Sequence, residues 1–332
     1  MGFYGTLWNL FSEGSGDMWV ETVVDGKQAG GKRIIVPGAG ENNVKMPRQA
    51  GVTNNQEGQR VFLERVNRTP RLVVCGGGHV SVPIIQMGKM LGFYVTALED
   101  RPKFADCERR AGADEVICLP FAEGLDEIEG DRDCWFVVVT RGHRYDTLCL
   151  EKILKKSFAY VGMMGSKRRT TLVKDQLEEK GFARSLVDTV HTPIGLEIGA
   201  ETPEEIAVSV MAQIIQVKNA GTRGEGYSKE LLEALADQGG RKKVLATIIS
   251  RKGSAPRSVG TKMLVYEDGT AIGTIGGGCV ENEVMQKALL MMRAQKPVFQ
   301  TCKIDMTADE AEEAGMVCGG VVELMLELVQ EI

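Results

Sequence analysis

The strongest constraint on the fold is an alternation, between residues 71 and 162, of short β-branched apolar runs with segments of helical periodicity. The strand-like runs include RLVVC (71–75), FYVTALE (93–99) and CWFVVVT (134–140). Strands that are apolar throughout and separated by helices are typical of a parallel sheet covered on both faces. The sequence therefore predicts an α/β fold with a Rossmann-like, doubly wound parallel sheet at 67–222.

A second, smaller α/β domain is predicted from both ends of the chain. WVETVVDGKQAGGKRIIV (19–36) and VLATIISRKGSAPRSVGTKMLV (244–265) share a strand ending in Thr and two apolar residues, a glycine-rich turn, and a second apolar strand. Neither end alone has enough strands to bury a core, so we expect residues 1–66 and 228–332 to form one domain. Chance similarity between two short hairpins is the alternative.

Composition excludes several classes of protein. The 332 residues, of which 43% are hydrophobic, are enough for two domains that each bury a core. A net charge of −5 provides no basic surface for nucleic acid, and the apolar runs are shorter than the roughly 20 residues that cross a bilayer. The eight cysteines form no C-x-x-C pair and lie mostly in apolar runs, which is typical of a reduced, cytoplasmic protein.

A glycine cluster, CGGGHVS (75–81), follows the first strand and precedes a helix. Gly76 and Gly78 fit the turn that lets a dinucleotide phosphate approach the backbone, and His79 could contact a phosphate or cap the helix. Asp100, or Glu99 beside it, lies about 20 residues on, where a carboxylate binds the ribose of NAD(P) or another nucleotide. The alternative is that the glycines only permit a sharp turn.

Two further loops offer polar groups. Ser166 is a good N-cap, yet it is followed by Lys167, Arg168 and Arg169, which the helix dipole disfavours unless an anion binds there. A solvated basic turn is equally consistent with this pattern. His143 leaves the end of another predicted strand and, with Asp146, could hold a substrate group or a metal, or simply form a loop hydrogen bond.

The second glycine cluster, IGGGCVENEV (275–284), contains a cysteine. Gly277 and Gly278 would let successive backbone N–H groups converge near Cys279, which favours an anion and lowers the pKa of a thiol from about 8.5. Such a thiolate can bind a soft metal, whereas a small buried residue at a tight turn is the plain alternative. Cys318, in VCGGVVEL, is a candidate for the same cavity, and Arg257, in GSAPRSVG, is a candidate clamp for an anionic ligand.

Taken together with YVGMMGSKRR and PIGLEIGAETPEEIAVSVMAQII, these motifs closely resemble the XdhC/CoxI family of accessory proteins for molybdenum hydroxylases. The resemblance covers about 70–218 and 243–325. In the family the cysteine-bearing module usually comes first, so this chain resembles a circularly permuted member. Arg141 stands where the family usually has histidine, so any role of that histidine is in doubt here.

The resemblance implies a protein that binds the molybdenum cofactor (molybdopterin), supports its sulfuration and delivers it to a xanthine-dehydrogenase-type apoenzyme. Cys279 would then be the residue that approaches molybdenum. A cysteine desulfurase is a further candidate partner, and we expect a homodimer. The alternative is an NAD(P)-dependent oxidoreductase or other nucleotide-binding enzyme that uses the 75–100 site, although no set of catalytic acid, base and nucleophile accompanies that turn.

Overall fold

The computed structural model describes residues 2–13, 18–36, 47, 49–66, 68–221, 226–237, 239–253, 257–305 and 320–329. Cys318 and the side chains of His143 and Cys279 lie outside this part of the chain.

The helices are α1 (Phe3–Ser12), α2 (Ser81–Met90), α3 (Pro102–Arg110), α4 (Phe121–Glu127), α5 (His143–Ile153), α6 (Lys167–Glu179), α7 (Arg184–Val187), α8 (Pro203–Gly221), α9 (Lys229–Ala236) and α10 (Gly278–Ala294). The strands are β1 (Met18–Val23), β2 (Lys32–Ile35), β3 (Gly51–Asn54), β4 (Arg60–Val66), β5 (Arg71–Cys75), β6 (Tyr94–Leu98), β7 (Glu115–Ile117), β8 (Cys134–Val138), β9 (Tyr160–Met163), β10 (Lys243–Gly253), β11 (Lys262–Tyr266), β12 (Ala271–Gly273), β13 (Phe299–Asp305) and β14 (Gly320–Val329).

The chain divides into two compact units, which we call the parallel-sheet unit (69–220) and the antiparallel unit (1–68 with 221–332). The parallel-sheet unit has five parallel strands in the order β7-β6-β5-β8-β9. Val73 and Cys75 pack on one face with α4, α5 and α6, whereas Leu72 and Val74 pack on the other with α2 and α8. Because helices cover both faces, the strands are apolar throughout. The predicted fold class is confirmed.

The strand order of the parallel sheet reverses at β5. The next strand along the chain, β6, lies on one side of β5, and β8 lies on the other. In open α/β sheets the crevice at the carboxyl ends of two such strands is where ligands bind. This crevice lies between the glycine turn after β5 and the loop after β8.

The antiparallel unit contains two sheets with the same arrangement of four strands. One has the order β2-β1-β4-β3, and the other contains β11-β10-β14-β13, with β12 added at the edge. The register agrees as well, because Thr22 of β1 lies opposite Lys32 and Phe62, just as Thr247 of β10 lies opposite Lys262 and Met325. Each sheet follows a helix, α1 or α9, and these helices contact each other.

The two ends of the chain share one apolar core in the antiparallel unit. Leu7 of α1 and Val20 of β1 belong to the same buried cluster as Leu232 of α9 and Leu245 of β10. A four-stranded sheet with one helix buries little surface by itself, so the two halves stabilise each other. Among the described helices, none combines the length and the hydropathy needed to cross a lipid bilayer.

Candidate functional site

The glycine turn after β5 contains two glycines with different roles. Gly76 has φ +114°, and a Cβ there would lie 2.7 Å from the Val139 carbonyl oxygen, so no side chain fits. Gly78, by contrast, has no atom within 4 Å of the position that a Cβ would take. Gly76 is therefore required by the packing of the strands, whereas the backbone at Gly78 is open to close approach.

Between them, Gly77 is bound by a carboxylate of the protein itself. The Gly77 N–H donates to Glu99, a fully buried residue that directly follows β6. Arg101 donates to Glu99 from Nε at 2.7 Å and from its backbone N–H at 3.1 Å. The Arg101 guanidinium also lies 3.7 Å from the ring centroid of Phe104, in a cation–π contact. One amide of the turn is thus already occupied by a resident, charge-compensated anion.

Asp100, the predicted ribose-binding residue, forms a bidentate ion pair with Arg141. The two guanidinium nitrogens of Arg141 lie 2.7 and 2.9 Å from the two carboxylate oxygens, and Arg141 also donates to the Tyr145 hydroxyl at 2.8 Å. The hydrogen bonds from Arg141 hold the pKa of Asp100 below its usual value. Because Asp100 follows β6 and Arg141 follows β8, the pair crosses the end of β5. A ribose hydroxyl that binds Asp100 would have to displace Arg141.

The loop after β8 is anchored through Asp146. This buried carboxylate accepts the Thr140 hydroxyl and a guanidinium N–H of Arg169 from α6. The contact ties the start of α5 to the start of α6. Asp146 is therefore engaged by Thr140 and Arg169, a pairing that the sequence analysis did not foresee.

The basic turn at the start of α6 separates into one engaged arginine and two exposed cations. Ser166 caps the helix, because its hydroxyl accepts the Arg169 N–H at 3.3 Å. The side chains of Lys167 and Arg168 are exposed and form no hydrogen bond or ion pair within the described residues. His79, after β5, is also exposed. The loop after β9 thus exposes two cationic side chains at the carboxyl edge of the sheet.

The second glycine turn leads into α10 in the antiparallel unit. Gly276, Gly277 and Gly278 have φ values of +126°, +77° and +64°. Three successive residues in this region require glycine, because a Cβ would strain each of them. No atom lies within 4 Å of a Cβ built on Gly277, so the turn is open on that side.

Glu281, one helical turn further on, folds back onto the turn. Its carboxylate accepts the N–H groups of Ile275 at 3.1 Å and Gly277 at 2.9 Å, together with the Thr274 hydroxyl. Burial acts to raise the pKa of Glu281, but the hydrogen bonds from Thr274 and the backbone outweigh it, so the pKa lies below its usual value. The amides of Gly278, Cys279 and Val280 follow in the first turn of α10, where backbone N–H groups have no intrahelical acceptor.

Arg257 and the Cys279 turn follow two strands of one sheet that run in the same direction. These strands, β10 and β12, are both antiparallel to β11. Strand β12 ends at Gly273, level with Ala246, whereas β10 continues for seven more residues to Gly253, which pairs with Gly320 at the start of β14. Arg257 follows Gly253 by four residues, and Cys279 follows Gly273 by six. Cys318 lies outside the described residues.

Within the described part of the chain, no three His, Cys, Asp or Glu side chains are grouped so that they could hold a metal ion. The residues that sequence reasoning missed are Glu281 and the Arg101 and Arg141 partners of the acidic pair. Glu281 has a sequence signal, because a helix start followed one turn later by Glu is typical of a side chain that reaches back to backbone amides. Arg101 lies two residues after Glu99, so its pairing is local, whereas the partner of Arg141 depends on the strand order.

Two family models match the chain, and each contains one of the glycine turns. The XdhC Rossmann domain matches residues 72–214, and the XdhC and CoxI family matches residues 236–303. The chain belongs to the XdhC and CoxI family. In this member, the Rossmann match precedes the XdhC and CoxI match along the chain, and residues 1–68 lie outside both.

Several relatives share parts of this XdhC-family chain. The uncharacterized protein YqeB of Escherichia coli K12 is 33% identical over 165 residues, which are 49% of this chain and 30% of YqeB. A probable xanthine dehydrogenase subunit from Bacillus subtilis 168 is 31% identical over 159 residues, 48% of this chain and 46% of that protein. The molybdenum cofactor insertion chaperone PaoD of E. coli K12 is 43% identical over 53 residues, 16% of this chain and 17% of PaoD. Each match spans less than half of the curated relative.

A solved structure of a xanthine dehydrogenase from Bacillus halodurans resembles this XdhC-family chain with a TM-score of 0.50 at 24% identity. The superposition covers 64% of this chain and 65% of that one. A likeness at this level of identity supports the fold.

Proposed function

We propose that this protein binds the molybdenum cofactor and supports its maturation for a xanthine-dehydrogenase-type molybdenum hydroxylase. The observation that supports the proposal most directly is the turn at Cys279. Three glycines with positive φ immediately precede this cysteine, which lies in the first turn of a 17-residue helix. Membership of the XdhC and CoxI family supports it, as do relatives named a molybdenum cofactor insertion chaperone and a probable xanthine dehydrogenase subunit.

The chemistry of this turn fits such a cargo. Molybdenum accepts soft sulfur ligands, and a helix start lowers the pKa of a thiol, so Cys279 is suited to approach the metal as a thiolate. Glu281 holds the turn in shape by occupying the Ile275 and Gly277 amides, which leaves the first-turn amides of α10 for the anionic phosphate of the pterin. Arg257, in the loop after β10, is the candidate for a further cation that binds this phosphate.

In the finer version of this proposal, the cofactor stays bound while its terminal sulfido ligand is installed, and is then transferred. A cysteine desulfurase supplies the sulfur, the apoenzyme of the hydroxylase receives the cofactor, and the protein acts as a homodimer without turnover of its own. Backbone amides and a thiol are groups that hold an anionic, metal-containing cargo, which favours a chaperone over an enzyme.

A second candidate is nucleotide binding at the turn after β5. The observation that favours it is the open backbone at Gly78, at the point where the strand order reverses. NAD(P) is the natural test ligand, and the Asp100–Arg141 pair is the barrier to it. An NAD(P)-dependent rise in melting temperature would support this function, whereas none at millimolar NAD(P) would remove it.

We also propose that the antiparallel unit is a circularly permuted XdhC/CoxI-type domain. The two ends of the chain lie side by side, because the Tyr4 hydroxyl donates to Glu327 at 2.8 Å. A chain rebuilt so that residues 226–329 precede residues 2–221 through a short linker should therefore fold with an unchanged melting temperature. An insoluble or strongly destabilised product would contradict the permutation.

The cofactor proposal is tested by purifying the protein from a host that makes the molybdenum cofactor. Molybdenum is measured by mass spectrometry, and the pterin by fluorescence after oxidation. We expect both in similar amounts, and we expect the loaded protein to restore activity to a molybdenum-free xanthine dehydrogenase. Protein that carries neither metal nor pterin under these conditions would overturn the proposal.

A further inference from the structure

The antiparallel unit contains one buried polar cluster twice. Lys32 of β2 pairs with Glu327 of β14 and donates to the Tyr4 hydroxyl at 3.0 Å. In the other copy, Lys262 of β11 donates to Glu64 of β4 at 2.8 Å, and its Nζ lies 4.4 Å from the ring centroid of Tyr227. Each lysine comes from one half of the unit and its glutamate from the other.

The two copies differ in their access to solvent. The side chains of Lys262 and Glu64 are each 1% exposed, whereas that of Glu327 is 16% exposed. Glu327, Lys32 and Tyr4 line a cavity of about 580 Å³, a volume within the range of small-molecule sites. One copy is thus sealed, and the other lies in the wall of a cavity.

A substitution between the repeats accounts for part of this difference. Lys243 lies four residues before Thr247, just as Met18 lies four residues before Thr22. Met18 is fully buried and apolar, whereas Lys243 lines the cavity and donates to the carbonyl oxygens of Ala234 and Asp237. The open copy therefore has a cation where the sealed copy has an apolar side chain.

The charges around the cavity favour an anion. Among the described residues that line it, four side chains are cationic and two are carboxylates; these are Lys32, Arg241, Lys242 and Lys243 against Asp237 and Glu327. Arg241 pairs with Asp268 outside the lining at 2.7 Å. Lys242 is exposed, and its side chain forms no hydrogen bond or ion pair in the described part of the chain. A ligand in the cavity therefore meets an uncompensated ammonium group.

The first turn of α1 strengthens this preference. Gly2, Phe3, Tyr4 and Gly5 line the cavity. The helix has no side-chain cap and no acidic residue in its first turn. Uncapped first-turn amides together with the helix dipole favour a negative charge. Phe3 and Phe299 add aromatic walls on the same cavity.

We propose that this cavity is a binding site for a small aromatic or heteroaromatic molecule that carries a carboxylate or phosphate group. The site is separate from the Cys279 turn, because the cavity includes Gln295, which caps the far end of the 17-residue helix α10. At about 1.5 Å per residue, the two ends of α10 are about 25 Å apart, too far for one small ligand to bridge. The proposal therefore does not rest on the cofactor role.

Isothermal titration calorimetry of the full chain with benzoate, phenyl phosphate and benzamide tests the site. Benzamide matches benzoate in shape but carries no charge. We expect benzoate or phenyl phosphate to bind with a Kd near or below about 1 mM, and benzamide at least about tenfold more weakly. The stronger of the two anions identifies the group that the ligand carries. Binding of neither anion, or equal binding of benzoate and benzamide, would overturn the proposal.

Two matched pairs of variants locate the binding. Ala29→Phe places a ring in the cavity and should abolish binding, whereas Ala271→Phe, at an exposed position on β12 outside the cavity, should not. Lys242→Ala should weaken the anions about fivefold and leave benzamide unchanged, whereas Lys252→Ala, an exposed lysine at the other end of β10, should leave both unchanged. Unaltered anion binding in Ala29→Phe would place the site elsewhere and refute the assignment.

Discussion

The two glycine turns of this molecule both bind a glutamate of the protein, but the two glutamates differ in position and in charge compensation. In each, the central glycine donates its N–H to a glutamate of the protein: Gly77 to Glu99, and Gly277 to Glu281. Glu99 directly follows the neighbouring strand β6, is fully buried and is paired with Arg101. Glu281 belongs to the helix that the turn itself begins, and the hydrogen bonds that the structure gives it come from neutral donors.

The first turn is thus bound to a carboxylate from outside it, whereas the second is bound by a carboxylate of its own helix. Removing Glu99 would leave the buried Gly77 amide without an acceptor and the partly exposed Arg101 without its carboxylate partner, so the first turn is tied to the stability of the parallel sheet. Replacing Glu281 should cost less, because its carboxylate binds only neutral donors of the glycine turn. A cluster of three glycines is therefore not in itself an empty anion site.

The largest expected effect follows from removing the buried carboxylate of the first turn. Glu99→Ala should lower the free energy of unfolding by about 3 kcal/mol, because the buried Gly77 amide loses its acceptor and Arg101 loses its carboxylate partner. Urea denaturation measures this cost. Glu179→Ala, at an exposed position of α6, should change the free energy by less than about 0.5 kcal/mol. A similar cost for both variants would show that Glu99 does not brace the sheet.

A second buried carboxylate, Glu108 of α3, is repelled electrostatically by Glu99 of the first turn. Neither of its oxygens has a hydrogen-bond partner among the described residues, and burial together with Glu99 raises its pKa to about 8. Its folded pKa lies above the unfolded value, so its contribution to stability is greatest below pH 4.5 and falls as the pH rises to about 8.

Glu108→Gln should therefore stabilise the protein by roughly 3 kcal/mol at pH 8 and by little at pH 4. Thermal unfolding across this pH range measures the difference between the variant and the parent. A difference that does not depend on pH would mean that Glu108 is ionised at neutral pH in the folded protein.

Glu281→Gln tests the second turn at a smaller scale. The folded pKa of Glu281 is lowered, so its stabilising contribution is present above the unfolded value of about 4.5 and is lost as the pH falls through the folded pKa. We expect the variant to be about 1 kcal/mol less stable at pH 7, with the gap closing on acidification. Glu283→Gln, in an exposed ion pair with Lys287, is the matched control and should cost less than half as much.

The smallest expected effect on stability comes from Arg141→Ala, because exposed ion pairs contribute at most about 1 kcal/mol. The variant is more informative about ligand binding, because it removes the partner of Asp100 after β6. If the first turn binds NAD(P) through Asp100, the variant should bind it more tightly than the parent, and Asp100→Ala should bind it more weakly. A thermal-shift titration that ranks the two variants equally would exclude Asp100 as a ribose ligand.

Sequence patterns predict the parallel-sheet unit well because its information is local. Each predicted strand, such as 71–75 and 134–140, is an apolar run bounded by turns, and the structure confirms both. Sequence patterns do not predict which side chains pair with one another across this sheet. Arg141 reaches Asp100 only because β6 and β8 lie on either side of β5, and nothing in the residues of either loop specifies that order.

In the antiparallel unit, the side chains that pair are even further apart in the sequence. RVFLERV and KMLVY each carry a charged residue that sits in a buried strand, which signals a buried partner, but Glu64 and Lys262 are 198 residues apart. Glu281 is the opposite case, because its partners lie within seven residues and a helix-start pattern could have revealed it.

The central claim, that the second turn presents Cys279 to the molybdenum cofactor, is tested most directly by measuring bound molybdenum and pterin in two cysteine variants purified side by side. Cys107, a partly exposed cysteine of α3 whose Sγ contacts Arg110, provides the control. We expect Cys279→Ala to keep the parent melting temperature and to retain less than about a tenth of the cofactor, while Cys107→Ala retains all of it. If Cys279→Ala carries as much molybdenum and pterin as the parent, the thiol is a packing residue of a tight turn and the claim is wrong.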